Sequence, residues 1–291
     1  MGNMGLPMAT NLVKNGFTVK GFDLSEATRN KAKEIGITPC TTIAEVSKDV
    51  DFIVTSLPRT SDVEKVLMDK GGIFENAKEG TFIADSSTIS PIAAKDFAEK
   101  AKKLKLRYVD TPMSGGVNGA TKGTLTFMVG AENQQDFDHV CKVLDGMGTK
   151  KFMCGGPGAG EIAKIANNMI LGIHMVAVSE GLALGEKLGI DPKILTEVLS
   201  VSTSSCWSLT IQNPRPGVNE NSPSSKNYEG GFGTALMKKD MALALDIAEQ
   251  CKADVKFGEM ALEYYNAMDK KGYGGKDFGI VYQYIMKNKK M

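Results

Sequence analysis

The chain has 291 residues, enough for two domains with a substantial core. Its 35 basic and 34 acidic residues give a formal net charge of +1, which argues against a nucleic-acid partner. No uninterrupted apolar run reaches the roughly 18 residues of a membrane span, so we expect a soluble protein without a membrane segment. The five cysteines show no C-x-x-C spacing, which predicts free thiols and no metal site.

The first half of the sequence alternates short apolar segments with amphipathic ones. Strands are predicted at 18–22, 51–57, 81–85, 107–110, 125–129 and 151–153, and helices are predicted to begin near Ser25 and Pro91. This alternation is typical of a doubly wound, Rossmann-like α/β sheet. We therefore predict a dinucleotide-binding domain over residues 1–157.

The first residues, Gly2-Asn3-Met4-Gly5, resemble the end of a G-x-G-x-x-G dinucleotide-binding turn. The first glycine of that motif and the strand before it are missing. Asp23 stands at the end of a predicted strand, where its carboxylate would hold the ribose hydroxyls of NAD and repel the 2′-phosphate of NADP. Two alternatives remain open: Asp23 caps the next helix, and Arg29 softens the preference for NAD.

Residues 110–130 form a glycine-rich segment between two predicted strands. The segment is too rich in glycine for a helix, so we predict a loop. On that loop Ser114, Gly115, Gly116 and Gly119 would let backbone N–H groups approach an anion closely. A small carboxylate fits such a cradle.

A helical period begins at Gly160 and continues for nearly thirty residues. It places Lys164 and Asn168 four residues apart on one helix face, about 6 Å apart at Cβ. Neither histidine has a neighbour at ligand spacing, so proton transfer falls to lysine. No strand is predicted after this point, and we predict an all-helical second domain over residues 158–291. Residues 287–290 form a basic tail that we expect to be a solvated terminus.

Together these motifs resemble the β-hydroxyacid dehydrogenase family over essentially the whole chain, and within it the 3-hydroxyisobutyrate branch. The segments 205–207 and 213–218 favour that branch. The resemblance implies that Lys164 acts as the general acid/base and that Asn168 orients it. It implies cofactor contacts at Gly2, Asn3, Met4, Gly5, Asp23, Leu57, Pro58, Thr88 and Lys239. It implies substrate contacts at Ser114, Gly115, Gly116, Lys239 and Asp240.

The same resemblance implies NAD-dependent oxidation of 3-hydroxyisobutyrate to methylmalonate semialdehyde, a step of valine catabolism. It further implies a homodimer or homotetramer that binds a small β-hydroxyacid. A eukaryotic member would work in the mitochondrial matrix and a bacterial one in the cytoplasm.

Several alternatives stay open at this point. Reductases of glyoxylate, succinic semialdehyde or tartronate semialdehyde share the motifs, but Asp23 argues against their usual NADP. Relatives that serve as inactive structural homologues lose the catalytic lysine, whereas Lys164 is present. Finally, the missing strand would lie centrally in the sheet. We therefore expect the sequence to be a shortened form that binds NAD poorly or misfolds until some ten upstream residues are restored.

Overall fold

The computed structural model describes residues 1–287, and the chain divides into two compact units, Met1–Lys164 and Ile165–Met291. They are called unit 1 and unit 2 below. One long helix crosses the border between them, so the predicted domain boundary after residue 157 stays a prediction. The end of the predicted basic tail, 288–290, lies outside the described residues.

Unit 1 is built on parallel strands. Its strands are β1 Lys20–Phe22, β2 Thr38–Cys40, β3 Phe52–Thr55, β4 Phe82–Asp85, β5 Arg107–Asp110, β6 Met113–Ser114, β7 Leu125–Gly130 and β8 Gly148–Gly155. Strands β3, β4 and β5 pair in parallel, β7 runs antiparallel to β5 and β6, and β8 pairs in parallel with β7. Strands β1 and β2 form a separate parallel pair.

Helices cover both faces of this sheet. They are α1 Gly2–Lys14, α2 Glu26–Glu34, α3 Ile43–Ser47, α4 Thr60–Met68, α5 Ile73–Asn76, α6 Pro91–Lys103, α7 Gly116–Lys122 and α8 Gln134–Leu144. Successive residues of a strand point to opposite faces. Accordingly Phe82 and Ala84 belong to one buried cluster, while Ile83 belongs to another. The predicted doubly wound α/β fold is confirmed.

One local prediction in unit 1 is wrong. The segment after Ser114 is a helix, α7, rather than a loop. Its glycines serve the helix ends: Gly115 and Gly116 have φ of 131° and 60°, and Gly123 closes the helix in the left-handed region at 66°. Strand β2 was not predicted, because three residues around Pro39 carry too little apolar pattern.

Unit 2 is helical, as predicted. The long helix α9, Ala159–Lys187, enters it from unit 1, and the remaining helices are α10 Pro192–Ser200, α11 Trp207–Thr210, α12 Thr234–Cys251, α13 Lys256–Lys270 and α14 Val281–Lys287. Short 3₁₀ turns lie at Pro223–Lys226 and Phe278–Ile280. Residues 165–287 contain no strand.

Helix α9 forms one wall of the core of unit 2. By length and composition alone it could cross a bilayer. However, Met175, Val176 and Leu182 of this helix are buried among side chains of the other helices of unit 2. Such burial is what the core helix of a globular unit requires.

Candidate active site

The carboxyl ends of β3, β4 and β5 meet at one edge of the sheet in unit 1. In open α/β sheets, ligands bind in the crevice at that edge. Leu57 follows β3 and Thr88 follows β4. The two loops are joined by the Leu57 N–H, which donates to Ser87 Oγ at 2.9 Å. Pro58 is exposed and Thr88 is half-buried, and their contacts with a cofactor stay a prediction.

The first four predicted cofactor residues form the first turn of α1, which begins at Gly2 with φ of 51°. Asp23 follows β1. Its Oδ2 lies 2.5 Å from the Met1 α-amino nitrogen, and its Oδ1 accepts the Ser25 N–H at 2.8 Å. Partial burial raises the pKa of Asp23, but these two hydrogen bonds outweigh it and leave the pKa below its ordinary value. Asp23 is therefore a carboxylate at neutral pH.

The structure bears on both alternatives that the sequence left open around Asp23. Ser25 is the residue whose side chain caps α2, accepting the Thr28 N–H at 3.3 Å. The guanidinium of Arg29 donates to the backbone carbonyls of Asp23 and Leu24, at 2.6 and 3.2 Å. The Arg29 guanidinium is thus bound by two backbone carbonyls.

The glycine-rich segment presents the start of a helix. Ser114 ends β6 and is half-buried, whereas Gly115 and Gly116 are exposed. The first N–H groups of a helix have no acceptor within the helix, and the binding of a carboxylate at the start of α7 stays a prediction. The buried Asn11 of α1 donates to the carbonyl of Ala120 at 2.6 Å and fixes α7 against α1. Sequence reasoning missed Asn11, because its acceptor is a backbone atom 109 residues away.

A buried carboxylate lies beneath the two cofactor loops. Asp85, at the end of β4, accepts hydrogen bonds from Thr55 Oγ1 at 2.8 Å, from Tyr108 Oη at 2.7 Å and from the Ser87 N–H at 3.1 Å. Burial, followed by the charge of Asp85, raises the pKa of Tyr108 well above its usual range. Tyr108 therefore stays a neutral donor, and the network fixes the loop that carries Thr88.

Asp110, at the end of β5, holds the start of helix α9. Its two carboxylate oxygens accept the N–H groups of Gly158, at 2.7 Å, and of Glu161, at 3.0 Å. Burial raises the pKa of Asp110 to about 6, although these two hydrogen bonds oppose the shift. The Glu161 side chain in turn accepts the Ile89 N–H at 3.1 Å. The helix that carries Lys164 is thus anchored at its first turn to the end of β5 and to the loop that follows β4.

The predicted catalytic residues lie one turn apart on one face of α9, Lys164 half-buried and Asn168 buried. Within unit 2 the Asn168 amide donates to Asp240 Oδ2 at 2.6 Å. The other oxygen of Asp240 lies 2.9 Å from Lys239 Nζ. One carboxylate therefore joins Asn168 of α9 to Lys239 of α12. The sequence paired Lys239 with Asp240 correctly, but it did not predict the bond to Asn168.

Asp277 is another buried acid that sequence reasoning missed. It accepts the Gly279 N–H at 2.9 Å, the Phe232 N–H at 2.9 Å and the side-chain amide of Gln212 at 2.7 Å. Burial raises the pKa of Asp277 to about 6, against the two backbone hydrogen bonds. Asp277 thereby fixes residues 231–233, the glycine-containing stretch just before α12.

Comparison with known proteins shows which family the chain belongs to. Residues 1–156 match the NAD-binding domain of 6-phosphogluconate dehydrogenase, and residues 158–285 match the NAD-binding domain of NADP-dependent 3-hydroxyisobutyrate dehydrogenase. A probable mitochondrial 3-hydroxyisobutyrate dehydrogenase of Dictyostelium discoideum is 44% identical over 99% of this chain and 89% of its own. The chain belongs to the 3-hydroxyisobutyrate dehydrogenase family.

Two further relatives extend the match. The NAD-dependent L-serine dehydrogenase of Pseudomonas aeruginosa is 36% identical over 97% of this chain and 94% of its own. A solved structure of Mycobacterium tuberculosis 3-hydroxyisobutyrate dehydrogenase with L-serine shares 34% identity and a TM-score of 0.91, covering 98% of this chain and 96% of that one. The predicted family, fold and enzyme class are confirmed, and unit 1 contains an NAD-binding domain.

Proposed function

We propose that this chain oxidises 3-hydroxyisobutyrate to methylmalonate semialdehyde with NAD, a step of valine catabolism. The observation that carries the proposal is the set of polar groups built around α9. Lys164 precedes Asn168 by one turn, and the Asn168 amide is held at 2.6 Å by the Asp240 carboxylate. Relatives of this chain over nearly its whole length bear the name of this activity.

The residues of unit 1 fit NAD. The first turn of α1 offers N–H groups to a pyrophosphate, and the ionised Asp23 offers a carboxylate to ribose hydroxyls. The same carboxylate would repel a 2′-phosphate, while the guanidinium of Arg29 already binds two carbonyls. Leu57, Pro58, Thr88 and, from unit 2, Lys239 are the other proposed contacts. When bound, the nicotinamide accepts the hydride.

The substrate carboxylate would be held by Ser114, Gly115 and Gly116, because the hydroxyl and the N–H groups at the start of α7 can all donate to it. Lys164 would take the proton from the substrate hydroxyl in oxidation and return it in reduction. Asn168 would direct the substrate or Lys164, with its own orientation set by Asp240. Lys239 would add a positive charge toward substrate or cofactor.

We further propose that the protein works as a homodimer or homotetramer. Curated eukaryotic relatives are named as mitochondrial, which supports a mitochondrial location for a eukaryotic source. We propose the matrix for such a protein and the cytoplasm for a bacterial one. The oligomeric state and the location in the cell take no part in the chemical steps proposed above.

L-Serine is the second candidate substrate. It is also a β-hydroxyacid, one relative is named for its oxidation, and the M. tuberculosis structure was obtained with it. A pocket that favours the methyl group over the ammonium group would distinguish the two. Comparing kcat/KM for 3-hydroxyisobutyrate and L-serine therefore decides between them.

The proposed mechanism is tested with Lys164→Ala. We expect kcat to fall by at least ~10²-fold, the usual loss for a general acid/base, while NAD binding changes little. Ser114→Ala should act mainly on KM, because it contacts the carboxylate in ground and transition states alike. Turnover near wild type in Lys164→Ala would remove this lysine from the mechanism.

A further inference from the structure

Unit 2 contains a cavity of about 560 Å³ whose walls come from three segments of the chain. These segments are residues 216–228 before α12, residues 271–280 after α13, and α14. We call this space the α14 cavity. Small-molecule sites in proteins usually enclose roughly 300–1,000 Å³. The α14 cavity therefore has room for a ligand much larger than a simple inorganic ion.

The charges that line the α14 cavity are all positive. They belong to Lys271, Lys276 and Lys287. Lys276 is paired with Glu229. Lys271 Nζ lies 4.6 Å from the centre of the Tyr284 ring, and neither Lys271 nor Lys287 forms an ion pair with a carboxylate that the structure describes. The wall thus carries two positive charges that the described residues do not balance, in a chain whose formal net charge is only +1.

One of these lysines stands at a helix end, where a lysine often serves the last carbonyl groups. Lys271 directly follows α13. However, the carbonyls of Ala267, Met268 and Asp269 already accept the backbone N–H groups of residues 271–273. The exposed ammonium group of Lys271 is therefore not needed by these carbonyls, and a ligand in the cavity can use it.

Two half-buried tyrosines, Tyr273 and Tyr284, line the same cavity. Tyr284 packs edge-on against Tyr264, with ring centres 6.1 Å apart, so its ring is held in place. Aromatic rings provide apolar surface for a planar base, and phenol hydroxyls can donate to anionic oxygens. The cavity thus combines cations with aromatic surface.

The backbone of one wall is strained at two neighbouring residues. Asn227 and Tyr228 have φ of 53° and 57°, a region that costs free energy for any residue with a bulky side chain. Tyr228 is held there because its hydroxyl donates to the Pro214 carbonyl and its own carbonyl accepts the Asp277 N–H, both at 2.8 Å. The turn directs the Asn227 carbonyl to Lys276 Nζ at 3.1 Å. Strain of this kind concentrates at ligand sites, and here it positions one of the lysines.

We propose that the α14 cavity binds an organic phosphate of the size of a nucleotide, with its phosphates on the three lysines and its base beside Tyr273 and Tyr284. A lysine ammonium group binds phosphate as a point charge. Lysines spread over two segments are reached by a chain of phosphates more readily than by a single one. None of the residues proposed above for NAD, substrate or catalysis lines this cavity, so the proposal does not rest on the proposed function.

Isothermal titration calorimetry with ATP tests the proposal on the full chain in saturating NAD. One ATP should bind per chain, and Lys271→Gln should weaken it by ~10-fold, the usual size for a lost hydrogen bond between charged groups. Lys270→Gln is the matched control, because it removes the same charge from a neighbouring exposed residue that does not line the cavity. Absence of ATP binding, or equal weakening in the two variants, overturns the proposal.

Two further titrations test the chemical class of the ligand. Adenosine should bind at least ~10-fold more weakly than ATP, because it has no group for the lysines. Citrate carries three carboxylates and no planar base, and it should also bind more weakly than ATP. Adenosine binding as tight as that of ATP, or citrate binding that is tighter, would contradict an organic phosphate site.

Lysine acetylation followed by mass spectrometry locates the ligand. ATP should protect Lys271 and Lys287 from acetic anhydride and leave Lys270 as reactive as before. Protection of Lys239 without protection of Lys271 would place ATP among the residues proposed for the active site and overturn the proposal. A chain that shows the expected protection but does not bind NAD would contradict the proposed function and leave the α14 cavity as a phosphate site.

Discussion

Asp110 in unit 1 and Asp277 in unit 2 are both buried carboxylates that accept backbone N–H groups, and they differ in what surrounds them. Asp110 holds the first turn of α9 through two N–H groups alone. Asp277 holds the stretch before α12 with two N–H groups and a side-chain amide from Gln212. Each therefore sets the start of a helix that carries proposed site residues.

The two carboxylates are equally buried, but the glycine packed against each lies in a different kind of backbone. A Cβ at Gly130 would come within 2.3 Å of the Asp110 carboxylate, and one at Gly231 within 2.2 Å of the Asp277 carboxylate. Gly130 lies in a strand of the central sheet, where the backbone has no room to shift. Gly231 lies in a loop with φ of 67°. Asp110 is thus packed against a strand of the sheet, and Asp277 against a loop and the side chain of Gln212.

The largest loss of stability is expected where a methyl group is added beside Asp110 in the sheet. Gly130→Ala should lower the free energy of unfolding by about 3–5 kcal/mol, because its methyl group overlaps the Asp110 carboxylate and breaks the bonds to α9. Denaturant unfolding measures this loss. Gly156→Ala is the control, since a Cβ there meets nothing within 4 Å. Equal stability of the two variants would show that the strand yields more easily than we infer.

The next largest effect is on the way the free energy of unfolding depends on pH. The pKa values of Asp110 and Asp277, each about 6 in the folded protein, exceed those of unfolded carboxyl groups. Each group therefore favours the folded state below about pH 4, and this contribution is lost as the pH rises through 6. We expect each acid to lower the free energy of unfolding by about 2–3 kcal/mol as the pH rises over that range. The slope of unfolding free energy against pH should decrease in Asp110→Asn and in Asp277→Asn.

At neutral pH, Asp110→Asn and Asp277→Asn should each have a smaller effect on the free energy of unfolding. An asparagine has one acceptor oxygen and turns its amide toward a backbone N–H, so one buried donor is left without a partner. That loss is about 1–3 kcal/mol, partly offset because a buried charge is removed. Asp110→Asn should also reduce kcat, since it loosens the helix that carries Lys164. Full kcat in that variant would mean that α9 keeps its place without Asp110.

The smallest loss of stability is expected in unit 2, from removal of the side chain that donates to Asp277. Gln212→Ala removes the one side-chain donor to Asp277 and should lower the free energy of unfolding by about 1 kcal/mol. Ser208→Ala in the neighbouring helix is a useful reference, because the buried Ser208 Oγ has no hydrogen-bond partner among the described residues. Thermal unfolding of the two variants compares a partnered polar group with an unpartnered one.

Much of the fold could be predicted because parallel strands are apolar on both faces. Strands such as 82–85 and 107–110 stand out in the sequence for that reason. The error at Gly116–Lys122 has a physical cause: helix propensity weighs against glycine, but Gly115 and Gly123 serve the helix ends and the interior packs through Ala120. Local composition could not show which glycines lie at ends.

The sequence singled out the proposed site residues on the helices, and it missed the buried acids Asp110 and Asp277 that fix the starts of those helices. Lys164 and Asn168 were found because their spacing lies within one helix. The partners of Asp110 stand 48 and 51 residues away, and those of Asp277 include a residue 65 away. Hydrogen bonds across such distances leave no periodic pattern. An acidic residue at a strand end, followed by a glycine-rich stretch, was the available signal for Asp110.

The separate β1–β2 pair has a consequence for how the protein opens. Each of these strands has three residues, and among the described residues β1 pairs with β2 alone. Amide hydrogens in so small a pair should exchange with solvent sooner than those of β3, β4 and β5, whose strands support one another. The region that presents Asp23 can therefore unfold on its own while the rest of unit 1 stays intact. A nucleotide that binds Asp23 would slow this exchange. In the absence of nucleotide, proteases would cleave the chain first near the β1–β2 pair.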